Sequence, residues 1–177
     1  MRKLPDFDAL TATYPGKGLT AEQVKTQIGG DVNEKDITNT CVVRVSRSLN
    51  AAGHGLTATR SLLRPTMQGV SKFHTRLGRD KRWYGLRVTE FWDYMLQTYG
   101  KPDVYAKAGS KTPLTRSAFE GPQGIIGFLV PFHDANGHFT LWNGDDLLYG
   151  GETAYFTLAT EAALWRAGTT WMSKAPV

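Results

Sequence analysis

The stretch that decides the fold of this chain is Thr38-Asn-Thr-Cys-Val-Val-Arg-Val-Ser-Arg-Ser-Leu-Asn-Ala-Ala-Gly53. Side chains that can cap a helix come directly before Cys41, and apolar residues then recur at helical spacing until Gly53 ends the run. The pattern predicts a helix with Cys41 in its first turn. Amide N–H groups and the positive dipole end at a helix start stabilise a thiolate, so this placement makes Cys41 a candidate nucleophile. The alternative is a small buried apolar residue, as most lone cysteines are.

Composition sets limits on the class of protein. The chain has 177 residues, 41% of them hydrophobic and 21% charged, as expected of one globular domain spanning 1–177. Cys41 is the single cysteine, which excludes an internal disulfide and a cysteine-based zinc site. No apolar run approaches the roughly 20 residues of a membrane span, and the N-terminal residues lack a secretory signal pattern. We therefore expect synthesis in the cytoplasm without a signal peptide and without membrane insertion.

Two further helices are predicted from local signals. Thr20 and Gln23 form a capping box ahead of a short amphipathic segment that Gly29 stops. Thr89 is predicted to cap a second helix, which carries an apolar face and ends at Gly100. The intervening residues 60–87 contain eight Lys or Arg against one acid, Asp80, without sustained periodicity. We predict a mostly irregular basic segment and favour a solvated surface over a wall of a substrate groove.

The second half of the chain is predicted to form β-strands. The apolar run 124–130 and the segment 138–142 are predicted strands, and Asn143-Gly144 is a hairpin turn signal. Residues 154–158 and 168–172 are predicted as further strands. Helices followed by an antiparallel sheet indicate an α+β fold.

A cysteine nucleophile needs a base, and four histidines are available. His54 and His74 fall in segments where solvated loop residues are expected, and His133 lies in a loop. His138 opens a predicted strand after the small Gly137, a rigid position that would leave its ring approachable. His138 is therefore the preferred base.

A Cys–His pair commonly uses a third group that fixes the imidazole tautomer. Asp145 and Asp146 follow the predicted turn and are the candidates. In a strict two-residue turn Asp145 would pair with Trp142, roughly 13 Å along the strand from His138. Either aspartate could contact His138 only if the turn is wider and the chain folds back. Two solvent-facing turn residues are an equally good interpretation.

Several motifs occur in the order found in one known family. They are Ile28-Gly-Gly30, Asn39-Thr-Cys-Val-Val-Arg44, Leu49-Asn-Ala-Ala-Gly53, Leu86-Arg-Val88, Gly100-Lys-Pro-Asp103, Gly124-Ile-Ile126 and Gly137-His-Phe-Thr-Leu-Trp-Asn-Gly144. Together they cover nearly the whole chain, which resembles the fourth family of type VI secretion amidase effectors.

The resemblance implies a papain-like, NlpC-type fold in which a nucleophile helix packs on an antiparallel β-sheet. It implies hydrolysis of the bond between γ-D-glutamate and meso-diaminopimelate in the stem peptides of bacterial peptidoglycan, with Cys41 and His138 matching the family's Cys and His. The family's acid lies further past the turn than Asp145 or Asp146. Such effectors are delivered by the type VI secretion apparatus to the periplasm of a rival cell and are blocked by a cognate immunity protein. The mechanism requires no metal or organic cofactor.

Two other functions use the same sequence features. The basic segment and a sequence pI near 9.4 fit a nucleic-acid-binding module, although no zinc spacing, helix-turn-helix pattern or RNA-binding signature accompanies them, so we expect no nucleic-acid partner. A papain-like acyltransferase or deamidase would use the same Cys–His chemistry.

Overall fold

The computed structural model of the chain describes residues 2–16, 18–62, 72–131, 136–149 and 154–168. The helices in these ranges are α1 Phe7–Thr11, α2 Ala21–Ile28, α3 Cys41–Ala51, α4 Val88–Tyr99 and α5 Ala154–Leu158. The strands are β1 Arg60–Ser61, β2 Lys72–Phe73, β3 Thr75–Leu77, β4 Trp83–Gly85, β5 Val104–Lys107, β6 Gly124–Leu129, β7 Gly137–Trp142 and β8 Glu161–Arg166.

The main sheet has four antiparallel strands in the order β5-β8-β6-β7. Strand β6 pairs with β7 on one side and β8 on the other, so β7 lies at the edge of this sheet. Two small antiparallel pairs, β1-β2 and β3-β4, stand apart from it. Helices α1 to α4 precede the main sheet along the chain and α5 lies between β7 and β8, and this combination of helices with an antiparallel sheet confirms the predicted α+β class.

The helix predictions hold with two corrections. Helix α2 has the predicted capping box between Thr20 and Gln23, and α3 begins at Cys41. Thr40 makes no side-chain cap; the carbonyl oxygen of the Asn39 side chain instead accepts the Cys41 N–H. Helix α4 begins at Val88 rather than after a Thr89 cap, and no side chain caps it. The predicted helices are therefore all present, but their ends differ from the predicted positions by about one residue.

Three strand predictions need correction. Residues 154–158 form α5, because packing of their aromatic side chains overrides their strand-like composition. The last strand among the described residues is β8, which the sequence pattern missed along with β5. Gly168 makes a single bridge to Asp6, and residues 169–172 of the last predicted strand lie outside the described ranges. Within the basic segment, the described residues form β1 to β4 instead of irregular chain.

Alternating side chains of β7 enter two separate cores. Phe139 and Leu141 pack with α3 and α4, among them Val45, Phe91 and Trp92. Trp142 packs on the opposite side with Phe156 of α5. Each fully buried aromatic or aliphatic side chain contributes about 1.5–3 kcal/mol, so this strand is fixed on both faces. A rigid strand at the sheet edge is thus available to position His138.

Candidate active site

Cys41 is the first residue of α3 and is only 3% exposed. Its amide N–H donates to Asn39 Oδ1 at 3.0 Å. Helix α3 packs along β7, the strand that begins with Gly137 and His138. The fold therefore carries the candidate nucleophile to the edge strand that holds the candidate base.

The amide N–H of Phe139 is close enough to the Cys41 thiol to lower its pKa. Leu148 N–H donates to the Leu141 carbonyl at 2.9 Å, which shows that the backbone of residue 141 faces away from β6. Peptide groups two residues apart in a strand point the same way, so the Phe139 N–H also faces outward at this edge. The sulfur of Cys41 thus lies beside the residue that follows His138.

Burial raises the pKa of the Cys41 thiol to about 11. Hydrogen bonds from the N–H groups of Phe139 and Val42 and the positive charge of Arg44 lower it, but these effects are smaller. The expectation that the helix start alone would lower the thiol pKa is therefore wrong for this structure. Desolvation of a thiolate outweighs the helix start here because the sulfur is enclosed by protein.

His138 is also enclosed, with 4% of its surface exposed. Its ring stacks on Tyr155 with a centroid distance of 4.4 Å and lies tilted against Tyr149 at 4.7 Å. Burial, and then the charge of Arg44, lower its pKa to about 3. Nε2 is buried and has no hydrogen-bond partner within the described part of the chain. The ring is not approachable as the sequence suggested, and His138 is a neutral imidazole near pH 7.

Arg44 is a buried cation in the centre of this site, with 1% of its surface exposed. The guanidinium donates to the carbonyl oxygens of Pro15, Gly16 and Leu19 and to Thr40 Oγ1. It also stacks on Tyr149, with 4.9 Å from Cζ to the ring centroid. Both Cys41 and His138 experience its charge, which places them in one electrostatic neighbourhood.

Sequence reasoning assigned no role to Arg44 or to the tyrosines around it. Tyr14 hydrogen-bonds Thr140 through its hydroxyl at 2.8 Å, and burial raises its pKa. One signal was available: Arg44 lies three residues after Cys41, so the two residues fall on the same face of the predicted helix. Tyr14 and Tyr155 offered no comparable signal because their contacts with β7 are long-range.

The structure does not bring Asp145 or Asp146 to His138. Both amide groups donate to Asn143 Oδ1, and both carboxylates pair with Arg116, at 2.7 and 3.1 Å. Their side chains are 75% and 58% exposed. The turn spans 143–146, wider than two residues, but it lies beyond Trp142 at the far end of β7 from His138. The solvent-facing interpretation fits both residues, and neither supports His138 here.

The remaining histidines differ from expectation in one case. His54 stacks on Tyr99 at 6.0 Å, and His133 lies outside the described residues. His74 is not a simple solvated residue, because its Nδ1 lies 2.8 Å from Glu90 Oε1 and its backbone N–H donates to Glu90 Oε2 at 2.7 Å. A buried carboxylate thus orients His74.

Residues 37–165 match the model of the family "Type VI secretion system (T6SS), amidase effector protein 4", Tae4. The chain belongs to this family. The match begins just before the Cys41 helix and ends in β8, so it includes both Cys41 and His138. A comparison with curated proteins finds no match.

Solved Tae4 structures are similar over almost the whole chain. A chain in the Tae4–Tai4 effector–immunity complex from Salmonella Typhimurium is 26% identical, with a TM-score of 0.75, covering 93% of this chain and 99% of that one. A chain in the Tae4–Tai4 complex from Enterobacter cloacae is 28% identical, with a TM-score of 0.74 and coverages of 95% and 100%. Tae4 from Enterobacter cloacae alone is 28% identical, with a TM-score of 0.73 and coverages of 95% and 98%.

The residues that the structure describes include neither a membrane-spanning helix nor a cluster of metal-ligating side chains. No helix among them is long and apolar enough to span a bilayer. No group of three or more His, Cys, Asp or Glu side chains in the same ranges could hold a metal ion.

Proposed function

We propose that this Tae4 family member hydrolyses the γ-D-glutamyl–meso-diaminopimelate bond in peptidoglycan stem peptides, with Cys41 as nucleophile and His138 as base. Family membership gives the amidase class. The choice of these two residues is supported by one observation: the backbone of Phe139, the residue next to His138, is close enough to the Cys41 thiol to lower its pKa. The start of β7 would then hold the base and lie beside the sulfur at the start of α3.

The proposed reaction is an acyl transfer to sulfur followed by hydrolysis. His138 takes the proton of Cys41 as the sulfur attacks the amide carbonyl, forming the C–S bond. The C–N bond then breaks, the same proton passes from His138 to the leaving amine, and a thioester remains. Water, deprotonated by His138, hydrolyses the thioester and regenerates the thiol. N–H groups near the sulfur, such as that of Val42, would stabilise the oxyanion.

The neutral pair in the free protein fits a general-base role for His138. A thiol with a pKa of about 11 beside an imidazole with a pKa of about 3 stays as SH and neutral imidazole. Catalysis then needs proton transfer in concert with attack, or an opening of the site that hydrates both groups and moves their pKa values towards one another. Tyr149 and Tyr155, which cover His138, are the side chains that such an opening would displace.

The wider biological role follows from the same proposal. Residues 1–177 would act as a single catalytic domain with a papain-like, NlpC-type arrangement, supported by the packing of α3 on an antiparallel sheet. Tae4 from Salmonella Typhimurium and Tae4 from Enterobacter cloacae each form a complex with the immunity protein Tai4. We infer that a cognate immunity protein blocks this chain in the producing cell and that the chain acts in the periplasm of a target cell after type VI delivery.

The test is digestion of purified peptidoglycan with the protein and with Cys41→Ala, followed by mass spectrometry of the released peptides. We expect peptides that begin at diaminopimelate from the wild type and none from the variant. Matched circular dichroism spectra would show that Cys41→Ala is folded. Intact peptidoglycan after incubation with folded wild type would contradict the proposal.

Product analysis also distinguishes the other functions of this chemistry. A deamidase would leave the peptide backbone intact and release ammonia, and an acyltransferase would join the acyl group to an added amine. DNA binding that persists in Cys41→Ala without any peptide release would favour the nucleic-acid-binding alternative.

A further inference from the structure

A cavity of about 250 Å³ opens beside the segment that leads into the Cys41 helix. It is lined by residues 36–39, by β3 and its preceding residue, and by the two residues that lead into α4. Its lining residues are Asp36, Ile37, Thr38, Asn39, His74, Arg76, Leu86 and Arg87.

The cavity lies close to the candidate nucleophile. Asn39 lines it, and the side chain of Asn39 accepts the amide N–H of Cys41 at 3.0 Å. Two residues of extended chain span at most roughly 7 Å, so the Asn39 side of the cavity is within about one amino acid of Cys41 along the backbone. That separation suits a side chain adjoining the bond under attack.

A buried carboxylate fixes two of the cavity's basic side chains. Glu90, with 4% of its side chain exposed, accepts His74 N–H, lies 2.8 Å from His74 Nδ1 and accepts Arg87 Nη1 at 2.9 Å. His74 Nε2 and the other N–H groups of Arg87 have no hydrogen-bond partner among the described residues. An oriented guanidinium with free donors is suited to a carboxylate.

The cavity also carries charges of both signs. Arg76 Nε pairs with Glu34 at 3.2 Å, and within the described ranges its terminal nitrogens bond to nothing else. Asp36, which also lines the cavity, is an exposed carboxylate that no described residue pairs with. Two guanidiniums and one unpaired carboxylate in one cavity suit a ligand that carries a carboxylate and an ammonium on the same carbon.

We propose that this cavity binds the distal amino-acid end of the diaminopimelate side chain, with its carboxylate at Arg76 and Arg87 and its ammonium at Asp36. The proposal rests on the proposed function, because it assumes a stem peptide at Cys41. The cavity then selects diaminopimelate over lysine, which has the ammonium but lacks the distal carboxylate.

The test uses four synthetic stem peptides that differ only at the diaminopimelate position. This position carries unmodified (free) diaminopimelate, its distal carboxamide, its distal N-acetyl derivative, or lysine. Initial rates give kcat and KM for the wild type, Arg87→Gln and Asp36→Asn. Arg166→Gln is the matched control, since it removes an exposed arginine that lines a different cavity.

We expect the wild type to prefer free diaminopimelate over the carboxamide and lysine peptides by about tenfold or more, mainly in KM, the size of one charge-assisted hydrogen bond. Arg87→Gln should lose most of this preference, while Asp36→Asn should lose only the preference over the N-acetyl peptide. Arg166→Gln should keep both. Asp36 is exposed and unpaired, so its variant stays informative even if Arg87→Gln unfolds.

Equal kcat/KM for all four peptides in the wild type, or full preference in Arg87→Gln and Asp36→Asn, would overturn the subsite. Failure of the wild type to cleave any of the four would instead overturn the proposed function itself. The two failures are therefore distinguishable.

Discussion

The guanidinium of Arg44 lies over the ring of Tyr149, with 4.9 Å between Cζ and the ring centroid, and the same ring contacts His138. Helix α3 is thereby connected to the aromatic pair that holds the candidate base. Backbone carbonyls and a hydroxyl, but no carboxylate of the described chain, accept from this cation. An arginine buried without an acid costs stability, so its position beside Cys41 and His138 points to a role in the reaction.

Arg44→Met should raise the pKa of the Cys41 thiol and lower kcat by about tenfold or more, because a nearby positive charge stabilises a thiolate. Loss of the donors also leaves carbonyls of residues 15–19 unpaired, at a cost of about 1–3 kcal/mol each in unfolding free energy. The pH dependence of thiol alkylation and urea unfolding measure the two effects. Arg44→Lys keeps a positive charge, so its Cys41 thiol should be alkylated faster at low pH than the thiol of Arg44→Met. Arg47→Met, on the half-exposed face of α3, serves as control. An unchanged pH profile in Arg44→Met would count against the electrostatic role.

The thiol of the free protein should react slowly with iodoacetamide. With a pKa of about 11, roughly one thiol in ten thousand is ionised at pH 7. In the urea-unfolded chain the pKa returns to near its ordinary value, and we expect alkylation about a hundredfold faster. Mass spectrometry of the modified chain gives both rates. Faster alkylation in the folded state than in the unfolded state would instead support the low thiol pKa that was predicted from the helix start.

His138 should make the fold sensitive to acid. Its pKa is about 3 when folded against an ordinary 6.5, so both states are neutral above pH 6.5, and only the unfolded chain gains a proton below it. Stability should therefore fall by about 1.4 kcal/mol per pH unit from pH 6.5 towards pH 3 from this residue alone.

Urea midpoints at pH 7.5, 6 and 5 measure this slope, and His138→Gln should remove that part of it. Equal slopes in the two proteins would mean that the His138 ring is hydrated and not enclosed by Tyr149 and Tyr155.

Asp145→Asn and Asp146→Asn should each keep kcat/KM within about twofold of the wild type. Their carboxylates form exposed ion pairs with Arg116, which contribute about 0–1 kcal/mol to stability. Assays of both variants against the same stem peptide test this. A hundredfold loss in one of them would reinstate it as the group that orients His138.

The sequence predicted correctly those helices and strands that are determined by interactions between neighbouring residues. The Thr20–Gln23 capping box, the helix that starts at Cys41 and the apolar run of β6 all depend on residues within one turn or one strand. Strands β5 and β8 were missed because both carry charged residues and are fixed by pairing between distant segments. Residues 154–158 have strand-like composition, yet Phe156 packs edge-on against Phe128, and the segment is helical.

The site was predicted in part for the same reason. Cys41 and His138 each had a local signal, a helix start and a strand start. The enclosure by Tyr149 and Tyr155 and the pairing of His74 with Glu90 depend on contacts that no period in the sequence encodes. The thiol pKa was misjudged because the helix start can be read from sequence whereas the degree of burial cannot.

The outward-facing edge of β7 has a consequence for the fate of the chain when it is partly unfolded. The Phe139 N–H and the Leu141 carbonyl are covered by Cys41 and by Leu148. If α3 detached, these groups would become an uncovered strand edge of apolar composition, which can pair with another copy of the chain. Helix α3 therefore also protects this edge from aggregation, and productive refolding of the chain depends on its prompt return to β7.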